Sequence, residues 1–174
     1  VAPPDREVSL YNGKMQLESR PQRGSTMTID NFMRSLALEG EDRAVAVILS
    51  GSNTDGTLGA RAIKEKNGMV IAQDPKSTDF ATMPQSVIDE RLADLVLPPA
   101  DIPREIVSFA GRALRKAPED MAEEVPSGQR DKLLMLVRTR TGHDFSRYKD
   151  STVNRRIKRR VNVHRIERLK DYVN

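Results

Sequence analysis

The chain has 174 residues, 37% of them hydrophobic and 31% charged, with no cysteine and a formal net charge of +4. Such a composition belongs to a folded globular chain and not to a disordered one, and the lack of cysteine excludes a disulfide framework, a thiol nucleophile and thiolate-held metal or iron–sulfur sites. The charge is divided: residues 1–128 carry 15 Lys or Arg against 20 Asp or Glu, and residues 129–174 carry 14 against 5, which predicts two modules with different partners.

No apolar run is long enough for a membrane span, so no insertion is expected. The stretch Val1-Ala2-Pro3-Pro4-Asp5 lacks the basic and apolar regions of a secretory leader and does not begin with Met. The chain is therefore expected to start inside a longer protein, in the reducing cytoplasm that its lack of cysteine suits.

In chain order, Val8-Ser9-Leu10-Tyr11, then Asn12-Gly13, then Lys14 to Glu18 predict a hairpin, because both central residues of a type I′ turn need positive φ. Gly24 to Met27 reads as a loop. A helix is expected from Thr28, capped by its hydroxyl, with Ile29, Phe32, Met33, Leu36 and Ala37 at helical spacing and Gly40 at its end. Ala44-Val45-Ala46-Val47-Ile48-Leu49 is an unbroken apolar run of strand length, predicted to be buried on both faces as in a parallel sheet. The polar loop Ser50-Gly51-Ser52-Asn53-Thr54-Asp55-Gly56 follows. Next come a helix with Leu58, Ala62 and Ile63 on its inner face, a stop at Gly68, and a strand at Met69 to Ala72. A loop opens at Asp74-Pro75, and Pro84 suits the start of a helix running to about Glu90. Ala93 to Leu97 reads as a strand, and Asp101 as the cap of a helix containing Ile106, Phe109 and Leu114.

This order predicts an α/β module with a Rossmann-like, doubly wound, mainly parallel sheet over residues 1–115. Ligands of such sheets bind beyond the carboxyl ends of the strands, where the loop from Ser50 to Gly56 is expected. The loop lacks the spaced glycines of a dinucleotide fingerprint and the lysine–serine pair of a phosphate loop. Asp55 has two readings: a cap for the helix beginning at Gly56, or an acid placed for chemistry. Asp55, Asp74 and Asp79 do not have the spacing of a cation-coordinating loop, and no metal is expected.

Residues 116–128, with two prolines, a glycine and an acidic cluster, read as a linker. Residues 129–174 read as a small all-α module. Leu133, Leu134, Leu136 and Val137 form the apolar side of a first helix, which Thr141-Gly142 breaks. A second helix starts near Ser151-Thr152, with Val153, Ile157 and Val161 in one stripe and Arg155, Arg156, Arg159 and Arg160 beside it. Ile166, Leu169, Tyr172 and Val173 suggest a third. His143 reads as a structural turn residue, and His164 as a group capping or packing near a helix end.

Four stretches carry a resemblance: Val1 to Pro4, Val47 through Gly59, Ile71-Ala72-Gln73-Asp74 and Met83-Pro84. In this order and spacing they resemble the catalytic domain of the chemotaxis protein-glutamate methylesterases. The resemblance implies a serine hydrolase acting on methyl-esterified glutamates of chemoreceptors through a Ser-His-Asp triad. Asp55 matches the triad aspartate, Ser52 the position whose backbone N–H helps form the oxyanion hole, and Met83-Pro84 a segment bordering the site. Asn53 stands where that family usually has glycine, and tolerates left-handed geometry better than most residues. The family's serine and histidine lie earlier in the domain, so these 174 residues alone are expected to be inactive.

Leu136 through Phe145, Tyr148-Lys149 and Thr152 through Val161 resemble the N-terminal helical domain of chemotaxis protein-glutamate methyltransferases. That resemblance implies that the arginines recognise an acidic helical chemoreceptor. It also implies S-adenosylmethionine as the cofactor of a methyltransferase domain beyond Asn174, with none for this chain itself. The order of the two modules resembles fused methylesterase–methyltransferase sensory proteins. The competing reading is a non-catalytic interaction or nucleic-acid-binding module using the basic helix. Nucleic acid is disfavoured because zinc ligands, a helix-turn-helix spacing and stacking aromatics are all missing.

Overall fold

Asn12 and Gly13 take φ values of 50° and 70°, the two left-handed positions that let a two-residue turn join twisted strands. They connect β1 (Arg6–Tyr11) to β2 (Lys14–Ser19), paired antiparallel with Tyr11 opposite Lys14. The structure is a computed structural model and describes residues 6–19, 27–115 and 125–163. The loop expected at Gly24–Thr26, most of the linker, and the third helix with His164 lie outside these residues.

The chain divides into two compact units, Val1–Val107 and Ser108–Asn174. In the first, the hairpin lies on helix α1 (Thr28–Gly40), where the Leu10 N–H donates to Ser35 Oγ at 2.9 Å. Met33 and Ala37 of α1 face the core, and so does Asp30. The expected Thr28 cap is absent: the cap position is Met27, with no side-chain bond of its own. At the other end Gly40 is the last helical residue, but Glu41 takes the left-handed φ of 46°. A Cβ at Gly40 would approach Ala44 Cβ to 3.1 Å, so close packing accounts for that glycine.

Three parallel strands follow in the order β3 (Val45–Ile48), β4 (Met69–Gln73), β5 (Leu95–Leu97), in the register Val45–Met69 and Ile71–Leu95. Helix α2 (Thr57–Glu65) crosses from β3 to β4, and α3 (Thr82–Asp89) from β4 to β5. The result is an α/β domain with a parallel sheet and a separate antiparallel hairpin. The strand order runs in one direction, so the described strands contain no reversal point.

Among the described strands only β4 is buried along its whole length. In β3, Ala46 and Ile48 are buried while Val45 and Val47 are half-buried, so the expected burial of both faces holds for one face only. The core gathers Met33, Ala37, Ala46, Ile48, Ala60, Ile63, Val70 and Val87. Ile63 is buried as expected, but Leu58 is 42% exposed, and Thr57, Gly59 and Ala60 complete the inner face of α2. Small residues there let α2 approach α1: a Cβ on Gly59 would lie 2.5 Å from Met33 Cβ. After α2, Asn67 takes the left-handed turn with φ 66°, and Gly68 is required because a Cβ would meet the Ala44 carbonyl at 2.6 Å. Lys64 and the buried carboxylate of Asp94 pair, and Asp94 also accepts the Val70 N–H at 3.0 Å, locking α2 to the sheet. Helix α4 (Ile102–Arg115) begins directly after Asp101.

The second unit is all-α where it is described. Helix α5 (Ser127–Thr141) ends at Gly142, whose φ of 73° and N–H bond to the Arg138 carbonyl at 2.8 Å form a left-handed cap. Helix α6 (Asp150–Val163) buries Val153 and Ile157 with Val125 against Leu133, Leu134 and Val161. Leu136 is 44% exposed, contrary to expectation. It lies about 60° to one side of Leu133 at about 100° per residue, and the buried side extends the other way, through Leu134.

Candidate active site at the carboxyl ends of the strands

Every strand of a parallel sheet ends at the same edge, so loops after β3 and β4 share one rim. The β3 loop is held from below by Gln73, the last residue of β4. Its Oε1 accepts the Ser50 N–H at 2.9 Å, and its Nε2 donates to the Ser77 carbonyl at 3.3 Å and to Ser77 Oγ at 3.0 Å. Thr78 Oγ1 donates to Ser50 Oγ at 2.8 Å. Two backbone bonds complete the join: Gly51 N–H to the Phe80 carbonyl (2.8 Å) and Met83 N–H to the Gly51 carbonyl (3.1 Å). Any Cβ on Gly51 would collide with Met83 Sδ. Met83 therefore borders the loop directly, while Pro84 is fully buried in the first turn of α3.

Ser52 and Asn53 are exposed on the loop. Asn53 does not use a left-handed backbone. Its Oδ1 accepts the Asp55 N–H at 3.1 Å, an Asx turn that asparagine favours over glycine. The positive φ falls on Gly56, at 102°.

Asp55 is 7% exposed. Its Oδ2 accepts the Ile29 N–H at 3.0 Å and its Oδ1 the Asp30 N–H at 2.9 Å. It caps a helix, but that helix is α1 rather than the α2 that follows it. Helix α2 is capped instead by Asp30, whose Oδ1 accepts the N–H groups of Gly56 at 2.9 Å and Gly59 at 2.6 Å. Each aspartate thus supplies the N-terminal acceptor for the other's helix, where unpaired donors and the helix dipole both favour a carboxylate. Each Asp55 oxygen still has a lone pair for a further donor, such as an imidazole N–H.

Asp30 and Gln73 were not singled out from sequence. Asp30 had a signal: it sits three and seven residues before Met33 and Ala37, on the apolar side of α1. Gln73 ends an apolar strand and had none beyond its place in the motif. His143, the one histidine among the described residues, belongs to the second unit. It is exposed, with its ring 6.3 Å edge-on from Phe145. Asp74 accepts the Lys76 N–H at 3.0 Å in a local turn. Among the described residues no group of three His, Asp or Glu could hold a metal, and no helix is long and apolar enough to cross a membrane.

On α6, Arg155, Arg156 and Arg160 are exposed and Arg159 is half-buried. Asp150 pairs with Arg130 at 2.7 Å and Asp144 with Arg138 at 3.3 Å, both arginines of α5.

Comparison with known proteins matches residues 1–106 to the family described as CheB methylesterase and residues 129–174 to the CheR methyltransferase all-alpha domain. A protein-glutamate methylesterase/protein-glutamine glutaminase of Thermotoga maritima is 43% identical over 114 residues, 63% of this chain and 33% of that protein. A 104.1 kDa protein of Rhodobacter capsulatus is 32% identical over 99% of this chain, which spans 20% of its length. The crystal structure of the Thermotoga maritima CheB methylesterase catalytic domain matches with a TM-score of 0.56 and 33% identity, over 62% of this chain and 59% of that one.

Proposed function

The chain belongs to the CheB methylesterase family, and from that premise we propose that it supplies the aspartate arm of a Ser-His-Asp site hydrolysing glutamate methyl esters on a chemoreceptor-like protein. The observation that carries this reading is Asp55: a buried carboxylate at the ligand edge of a parallel sheet, fixed by two backbone N–H groups. In the complete protein Asp55 would hold the imidazole in one tautomer and stabilise its cation while the serine attacks the ester carbonyl. The backbone around Ser52 and Asn53 would face the developing oxyanion, and Met83 and Pro84 would wall the site. The resemblance assigns the family serine and histidine to no residue of this chain, so the chain by itself is proposed to be inactive. We read residues 1–115 as one wing of a Rossmann-like, doubly wound sheet and 116–128 as a linker.

Residues 129–174 are proposed to dock an acidic receptor helix on Arg155, Arg156, Arg159 and Arg160. In the same cytoplasmic protein a methyltransferase domain using S-adenosylmethionine would restore the methyl groups. The glutaminase activity in the relatives' names is the same acyl chemistry, with ammonia leaving instead of methanol.

A second reading has its own support. Capping of α1 accounts for both observed bonds of Asp55, as in a non-catalytic interaction module. One substitution in the complete protein separates the two. Asp55→Asn is expected to lower ester turnover by roughly 10³–10⁴-fold with the fold retained by circular dichroism. Turnover near that of the wild type would leave Asp55 as a cap alone.

A further inference from the structure

Asp30 is 1% exposed, and its Oδ2 is buried without a hydrogen-bond partner. A helix start needs no such arrangement, since an exposed serine or asparagine caps as well. What Asp30 does touch is the Asp55 carboxylate and the backbone that follows it. Its own N–H donates to Asp55 Oδ1, while its Oδ1 receives Gly56 and Gly59, the first and fourth residues after Asp55. Asp55 is thereby gripped through its carboxylate and through the backbone that carries it, both by one residue of α1.

We propose that Asp30 is the positioning residue for Asp55: it sets the direction in which the Asp55 carboxylate presents its remaining lone pairs to the site. This rests on the catalytic reading of Asp55 given above. The device works by geometry. An asparagine at 30 would keep an oxygen on Gly56 and Gly59 and put its amide where Oδ2 now lacks a partner. An alanine would release the backbone after Asp55 and let its carboxylate turn. Neither Asp30 oxygen bonds the Ile29 N–H, which donates to Asp55 Oδ2 alone, so that amide reports on Asp55 without touching the mutated side chain.

Two measurements test the proposal. In the 174-residue chain, the Ile29 amide is followed by ¹H–¹⁵N spectra and hydrogen exchange. Asp30→Ala is expected to move it upfield and to speed its exchange at least about tenfold, as expected when a helix terminus is released to local opening. Asp30→Asn is expected to leave it in place. An unmoved Ile29 amide in folded Asp30→Ala overturns the proposal, and so does an equal loss in Asp30→Asn. Should the alanine variant not fold, Asp30→Ser, which reaches at most one of the two amides, is expected to give a partial shift; a native Ile29 signal there is equally fatal. In the complete protein, Asp30→Ala is expected to lower kcat roughly 10–100-fold with KM changed less than about twofold, while Asp30→Asn keeps most of kcat. Asp55→Asn is the control. If it remains active while the Ile29 shift is seen, the catalytic reading fails and the positioning stands. If it is inactive while Asp30→Ala turns over normally, only the positioning fails.

Discussion

At the scale of single residues, a carboxylate's effect depends on what donates to it and how much water competes. Asp55 and Asp30 receive backbone N–H groups inside the fold, where an unmet donor costs about 1–3 kcal/mol. Asp144 makes the same type of bond at the surface. The Ser146 hydroxyl and the Ser146 N–H, at 2.9 Å, hold its carboxyl below the usual aspartate value, with a lesser contribution from Arg138. A depressed folded value means that the charged form is favoured by folding. Its stabilisation is fully present above the unfolded value, near pH 4, and is lost as pH falls through the folded one. A carboxyl-carbon NMR titration is expected to give Asp144 a midpoint below that of an unstructured aspartate, and Ser146→Ala to raise it. An unchanged midpoint in the variant would show that the Ser146 hydroxyl is not a cause.

At the scale of elements, α1 and α2 are joined by a polar clasp and by the absence of a side chain. Gly59 donates to Asp30 and leaves room for Met33 Cβ at 2.5 Å and Asp30 Cα at 3.2 Å from where its own Cβ would be. Backbone entropy favours alanine over glycine in a helix by about 1 kcal/mol, but overpacking a rigid junction costs about 1–3 kcal/mol. Gly59→Ala is expected to destabilise by up to about 2 kcal/mol net. Gly111 in α4 has open space around its Cβ position, and Gly111→Ala is expected to stabilise by about 0.5–1 kcal/mol. Urea titrations of both variants check the opposite signs; shifts of equal sign would refute the packing argument.

The same clasp marks where sequence reading stopped. The hairpin was legible because Asn12-Gly13 is a local signal, and so were the parallel strands, which are continuous apolar runs. The helix starts were found but not their caps, since Asp55 and Asp30 reach each other across 25 residues of chain. Leu58 and Leu136 were misplaced because helical period defines a stripe and not which edge of it packs. In the candidate site, the loop and Asp55 were visible through motif resemblance; the helical period places Asp30 on the inner side of α1, but its partners, like those of Gln73, are tertiary hydrogen bonds that no local pattern encodes.

At the scale of the whole molecule, the charge division has to be explained by a partner or by the molecule itself. Residues 129–174 carry an excess of nine positive charges, and like charges three and four apart on one helix oppose its formation by a few tenths of a kcal/mol per pair. Asp144 and Asp150 each pair with an arginine of α5. A carboxylate-rich helix is a suitable partner for the exposed guanidinium groups, since each can hold a carboxylate through two parallel bonds. Arg156 and Arg160 form one exposed i, i+4 row, and replacing both with alanine leaves Val153 and Ile157 packed. In the complete protein that double variant is expected to bind a glutamate-rich receptor peptide more weakly at low salt, with a shallower salt dependence, because screening at about 0.1 M acts over about 10 Å. Duplex DNA titrated in parallel distinguishes receptor docking from general attraction to polyanions. Tighter binding to DNA than to the peptide would favour the nucleic-acid reading. Equal affinity and salt slope for wild type and variant would remove Arg156 and Arg160 from any docking surface.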